Sequence, residues 1–349
     1  MKLAAVLLIV IFVSSCVPVV EEDPNSPKPT PTPTPKPITA SDKVLYDQVS
    51  CALKSIYSES QLSLKRSRTL NFIVSELNQG FKTYGVRSNV EKAHFLAQLI
   101  HESDGLSATV ERVMGPTWRR LFNAPGEKWQ CDDYLAAVDE DDSYFDNRYV
   151  YSKNKYKSKF RGRGLIQLTG CANYMGYFYH ASAQDQGTKA QASTHNTYFP
   201  FRDKDGDRVV ASWYCSESDL LAIDRTFRDL GLEINPSQLI DDFEASADEL
   251  ALPCRDRGIG NFSSERFVVD SSFWYWKKCQ NTSYFSPYIY VNSDQAVSRM
   301  TECVHGKSAV YQNYASINCN ASNSDDWRKQ SYCSRRKAFK KLISCFIDP

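Results

Sequence analysis

The sequence predicts a mainly α-helical, disulfide-stabilised body, on three observations. Apolar residues recur at helical spacing through residues 41–85: Val44, Leu45, Val49, Leu53 and Ile56 form one stripe, and Leu70, Ile73, Val74, Leu77 and Phe81 another. Residues 88–106, SNVEKAHFLAQLIHESDGL, read as an apolar helix that runs straight into a carboxylate, Glu102. The chain also carries eleven cysteines in 349 residues, which suits an oxidising compartment.

The N-terminus explains the odd cysteine. Lys2 precedes an apolar run and then small residues, the plan of an export signal over residues 1–15. The run is shorter than the ~20 residues of a membrane span. Val13-Ser14-Ser15-Cys16 resembles a bacterial lipobox, which implies lipid on Cys16; ordinary secretion with cleavage nearby is the plainer alternative. The other ten are Cys51, Cys131, Cys171, Cys215, Cys254, Cys279, Cys303, Cys319, Cys333 and Cys345, an even set whose pairing the sequence leaves open. Residues 16–40 form a spacer: the Pro-Thr repeat fixes φ and lacks N–H donors, giving a semi-rigid stalk of about 3 Å per residue. Residues 41–349 are the folded body. The expected location is a bacterial membrane surface, in the periplasm or outside the cell.

Composition narrows the classes. Hydrophobic residues make up 42% and charged residues 24%, enough to bury a core, and the net charge of +1 gives no field for nucleic acid. The 20 Tyr, 18 Phe and 6 Trp fit a large core or a groove that stacks on sugars.

Gly80 and Gly85 read as helix stops in the first half of the body. Ser88 and Glu91 fit a capping box, Phe95 pairs with Leu99 and Leu96 with Ile100 on shared faces, and Gly105 ends the helix. Glu102 is thus held rigidly near open space. A general acid needs that placement, with an apolar wall raising its pKa. On spacing alone, a surface glutamate is the simpler reading. Asp139 to Asp142 read as a solvated acidic loop, and the basic, tyrosine-rich stretch 148–163 as a solvated surface or a rim for a polyanionic glycan.

Residues 160–174, FRGRGLIQLTGCANY, demand a close backbone approach at their glycines. Their spacing fits neither a phosphate loop nor a dinucleotide fingerprint. Together with AHFLAQLIHESDGL (93–106), this segment resembles the family 19 glycoside hydrolases, the plant-type chitinases and the bacterial and phage endolysins. The resemblance spans roughly residues 65–345, with an insertion at about 177–230. It includes Leu232–Leu239, the aromatic run Ser271–Trp276 (core rather than sugar platform on its own pattern) and the closing amphipathic helix Arg335–Ile343.

The resemblance implies a lysozyme-like helical fold with a small β element at the cleft, and an inverting hydrolysis of β-1,4-linked amino sugars. Glu102 would be the acid, Glu111 the base, and Thr169 would help hold the attacking water, with the two carboxyls about 6.5–9.5 Å apart. His101, Gln167 and Tyr174 would line the substrate site, Asn173 would bind an N-acetyl group, and Arg163 would brace the catalytic loop. The chain departs from the pattern where Asp104 replaces a glycine, at Pro116–Phe122, and at His305-Gly306-Lys307 in place of Asn-Gly-Gly. Peptidoglycan is the expected substrate, with chitin as the alternative and deacetylated glycan as an open preference. A glycan-binding lipoprotein without chemistry is the competing class. No cofactor and no metal are expected: Asp203–Asp207 has its glycine misplaced for a calcium loop and reads as a turn. The expected partners are the glycan and, through Cys16, a membrane; the chain is expected to be a monomer.

Overall fold

The computed structural model describes residues 40–57, 68–106, 109, 160, 162–185, 215, 217–229, 235, 238–241, 262–306, 308–319 and 326–347. These residues are mainly helical. In order they form α1 (Ala40–Ile56), α2 (Arg68–Thr83), α3 (Asn89–Glu102), α4 (Cys171–Asp185), α5 (Glu217–Asp229), α6 (Phe262–Asn281), α7 (Asp294–His305) and α8 (Trp327–Ile347). No strand occurs among them. The only β-type pairing there is an isolated antiparallel bridge between Arg163 and Leu168, so the expected small β element is not found as a strand.

Helix α3 is the axis of the body. Every residue from Ala93 to Ile100 is buried, including His94 and Gln98, because α8, α7 and the aromatic helix α6 surround it. Phe95 meets Phe273 at 4.5 Å, Trp276 at 5.4 Å and Phe81 at 5.9 Å between ring centroids. Each such ring contributes about 1.5–3 kcal/mol by burial. The aromatic run on α6 is therefore core, as its own pattern predicts.

His94 ties α3 to two neighbours. Its ring stacks on Phe339 of α8 at 4.1 Å, and its Nε2 donates to the Val291 carbonyl at 3.0 Å. Burial pulls its pKa down to about 4, against a smaller upward pull from that hydrogen bond, so the ring is neutral at pH 7.

The two glycines expected as helix stops differ. Gly85, at φ +68°, does end α2, and the Val86 N–H closes back on the Phe81 carbonyl at 2.9 Å. Gly80 lies inside α2, where a Cβ would stand 2.0 Å from Phe273 Cε2. It is there to admit the ring of another helix. The capping box is half realised: Ser88 Oγ accepts from the Glu91 N–H at 3.1 Å, while the buried Glu91 carboxylate accepts from Gln280 of α6. Burial raises the pKa of Glu91.

Four disulfides join described residues: Cys51–Cys345 clamps α1 to α8, Cys279–Cys303 joins α6 to α7, Cys171–Cys215 ties the start of α4 to the approach to α5, and Cys319–Cys333 anchors α8. The expectation of a disulfide at Cys171 holds. The start of the expected insertion packs into the core: Tyr177 and Phe178 are fully buried in α4, and Tyr177 donates to Asp270 of α6 at 3.0 Å. Cys16, Cys131, Cys254, the acidic run 139–142, the basic stretch 148–159, the departure at 116–122 and the turn 203–207 lie outside the described residues.

Candidate functional site

Helix α3 delivers Glu102 through an unusually constrained turn. Ser103 Oγ donates to the Leu99 carbonyl at 2.6 Å and accepts from the Leu106 N–H at 3.1 Å, while the Gly105 N–H reaches the Ile100 carbonyl at 2.8 Å. Three successive residues have left-handed backbone: Asp104 (φ 46°), Gly105 (φ 75°) and Leu106 (φ 65°). Asp104 and Leu106 pay a steric cost there, which the burial of Ser103, Gly105 and Leu106 offsets. The glycine that the resemblance leads one to expect at 104 is the residue such a φ favours. Asp104 also pairs with Tyr57, whose pKa burial and that carboxylate raise.

The Glu102 carboxylate, 14% exposed, sits between two cations or potential cations. Arg335 of α8, whose side chain is wholly buried, donates from Nη2 to Glu102 Oε1. The same oxygen lies 2.8 Å from His305 Nε2 at the end of α7. Arg335 is itself fixed, donating from Nε to Gln98 Oε1 at 2.6 Å and from Nη1 to Ser331. Burial pushes the Glu102 pKa up, but the Arg335 charge and the His305 hydrogen bond outweigh it and hold it at about 2. The expectation of an apolar wall and a raised pKa is therefore corrected: in the free protein Glu102 is an anion at neutral pH. Burial and Arg335 pull His101 down to about 3, so its ring is neutral. Tyr275 feels the same carboxylate: it donates to the Val304 carbonyl at 3.2 Å, and its pKa is pushed to about 12 by burial and by Glu102.

The glycine-rich segment is a tight loop. Arg163 and Leu168 exchange backbone bonds at 3.1 and 2.8 Å across a turn with positive φ at Gly164 (74°) and Gln167 (55°). Gly162 is closely approached, since a Cβ there would meet Gln167 Oε1 at 2.9 Å and Thr169 Oγ1 at 3.1 Å and would push both side chains aside. The loop is stitched to its surroundings by Gly164 N–H to the Thr109 carbonyl (2.8 Å) and Leu165 N–H to the Val268 carbonyl (3.1 Å). Arg163 is fully buried and donates to the Tyr174 hydroxyl at 3.1 Å. Its guanidinium thus links the turn to α4, and its burial keeps it from substrate. Tyr174 is also fully buried, which corrects its assignment to the substrate site. Gln167, Thr169 and Asn173 are half-buried. Thr169 Oγ1 donates to the Gln167 carbonyl (2.8 Å), and Asn173 Nδ2 to the Thr169 carbonyl (2.7 Å). Asn173 Oδ1 accepts nothing among the described residues.

The structure thus makes two groupings, Glu102 with His101, His305 and Arg335, and the loop 162–173. Glu102 makes its hydrogen bonds with Arg335 and His305 and none with the loop. Glu111 lies outside the described residues, so its distance from Glu102 is not part of this geometry. His101, Glu102 and His305 have ligand atoms within 4.8 Å of one another, the donor set of a transition-metal site. The buried Arg335 guanidinium on Glu102 already balances the carboxylate and repels a dication, so the pocket suits a hydrogen-bonded neutral ligand better. A cavity of about 650 Å³ on α1, lined by Tyr46, Asp47, Ser50 and Lys54 among others, contains none of these residues.

Two site residues escaped the sequence reading. His305 stood in a turn noted only for departing from a pattern. Arg335 carried a usable signal: Ser331, Arg335, Ala338, Phe339 and Leu342 share one helical stripe, and all five are buried. A charge on an apolar stripe calls for a buried partner. Comparison with protein-family models, curated proteins and solved structures finds no match for this chain.

Proposed function

We propose that this chain is a lysozyme-like glycoside hydrolase that cleaves β-1,4 bonds between amino sugars, with peptidoglycan as its substrate. The observation that carries the reading is the Glu102 carboxylate, presented at the end of a buried helix in a pocket of fixed donors. Glu102 protonates the leaving oxygen, Glu111 activates a water on the opposite face, and Thr169 helps position that water. Asn173 offers its Oδ1 to an acetamido N–H, and His101 lines the site with a neutral ring. The mechanism inverts configuration. Lipid on Cys16 holds the enzyme at a bacterial membrane, and the stalk of residues 16–40 gives it reach.

The ionised state of Glu102 sets a condition on this mechanism. The proton must come from the small protonated fraction of free enzyme, or from a rise in pKa as bound glycan strips water from the pocket. The deep ion pair with Arg335 favours a second reading: a glycan-binding lipoprotein that keeps the fold and lacks the chemistry. Proton NMR of the products separates the two. The hydrolase reading predicts that muramyl or chitin oligomers give new reducing ends in the α configuration. β products refute inversion, and no products from either oligomer leave the binding reading.

A further inference from the structure

Trp327, the first residue of α8, is 54% exposed, and its indole makes no hydrogen bond among the described residues. Its ring centroid lies 5.9 Å from that of His305, whose Nε2 contacts the Glu102 carboxylate at 2.8 Å. The indole therefore borders the candidate catalytic pocket, with one imidazole between. Arg328 reaches over the same ring, its guanidinium 4.8 Å from the centroid. That guanidinium is exposed and has no carboxylate partner among the described residues. Glu102 and Arg335 satisfy each other deeper in the pocket, so neither competes for the Arg328 guanidinium at the rim.

An exposed indole beside a site is a platform for the apolar face of a pyranose ring, and its N–H can donate to a ring substituent. The guanidinium of Arg328, which lies over one face of the indole, matches a planar carboxylate, and the sugar takes the other face. An uncharged N-acetylglucosamine polymer has no use for that cation. A muramyl sugar carries a lactyl carboxyl, or a stem peptide ending in carboxylates, on the ring itself.

We propose that Trp327 and Arg328 form a saccharide subsite that takes an acidic amino sugar, the muramyl unit, adjoining the bond held at Glu102. The proposal rests on the glycan-hydrolase reading for its setting, but binding tests it separately from hydrolysis. Trp327 stacks the sugar, and Arg328 selects the carboxylate.

The test titrates the full-length protein with two uncleaved disaccharides, N-acetylglucosaminyl-N-acetylmuramic acid and diacetylchitobiose, followed by calorimetry. The acidic disaccharide binds more tightly to the parent. Trp327→Ala weakens both by about tenfold, in the range of a buried aromatic anchor, and Trp327→Phe restores most of the loss. Arg328→Gln weakens only the acidic ligand, down to the level of chitobiose. Both side chains are exposed, so circular dichroism should show the variants folded. Unchanged affinities in Trp327→Ala, an equal loss of both ligands in Arg328→Gln, or no binding by the parent would each overturn the subsite. This binding pattern in a protein that releases no reducing ends would sink the hydrolase reading and leave the subsite standing.

Discussion

Replacing Arg335 with methionine probes the pocket most sharply. The Glu102 pKa falls from 4.5 to about 2, mainly because Arg335 outweighs the cost of burial. A depression of that size corresponds to roughly 3 kcal/mol. A depressed carboxyl contributes stability that is present above its unfolded pKa and lost as pH falls through the folded one, here between about 4.5 and 2. Arg335→Met leaves a nearly buried carboxylate with only His305, so the loss at pH 7 should be about 3–5 kcal/mol. Toward pH 3 Glu102 can take up a proton in the variant, and the gap should shrink. Urea denaturation at pH 3, 4, 5 and 7, with disulfides intact, measures this. Arg335→Met with Glu102→Gln should recover part of the loss, since no buried anion remains. A loss below about 1 kcal/mol at pH 7, or a gap that does not vary with pH, would refute the argument.

Three further outcomes follow from the same geometry. If Glu102 supplies the proton, kcat/KM reports its free-enzyme pKa and should rise as pH falls from 7 toward 4; a profile flat over that range would show that another group is the acid. Gly80→Ala gains about 1 kcal/mol of helix propensity but drives a Cβ to within 2.0 Å of Phe273, so it should lower Tm by a net loss of about 1–2 kcal/mol. A higher Tm would mean that the ring moves aside freely. Replacing both Cys51 and Cys345 by alanine opens a link across 294 residues and should cost about 4 kcal/mol, read from urea midpoints.

The sequence carried most of the scaffold and less of the chemistry. The stripes of α1, α2 and α3 were legible because helical periodicity is local and burial follows it. The aromatic run on α6 was legible as core for the same reason. What failed depends on which elements meet. Gly80 has the local look of a stop, and only the ring of Phe273 from α6 explains it. Tyr174 sits in a conspicuous motif, yet its hydroxyl serves the buried Arg163. Glu102 was placed correctly at a helix end. Its charge state could not be read, because it is set by Arg335 and His305, more than 200 positions away along the chain. Long-range pairing of this kind leaves only a faint trace, such as one arginine on an otherwise apolar stripe of α8.

The central claim is that Glu102 makes this protein a glycosidase. It is tested most directly by reducing-end release from purified peptidoglycan sacculi, native and chemically deacetylated, comparing the protein with its Glu102→Gln variant, both shown folded by circular dichroism. The account predicts release by the parent and none above background by the variant, with the preferred sacculus setting the acetyl specificity. Equal release by both proteins, or none by the parent from either sacculus, would contradict it.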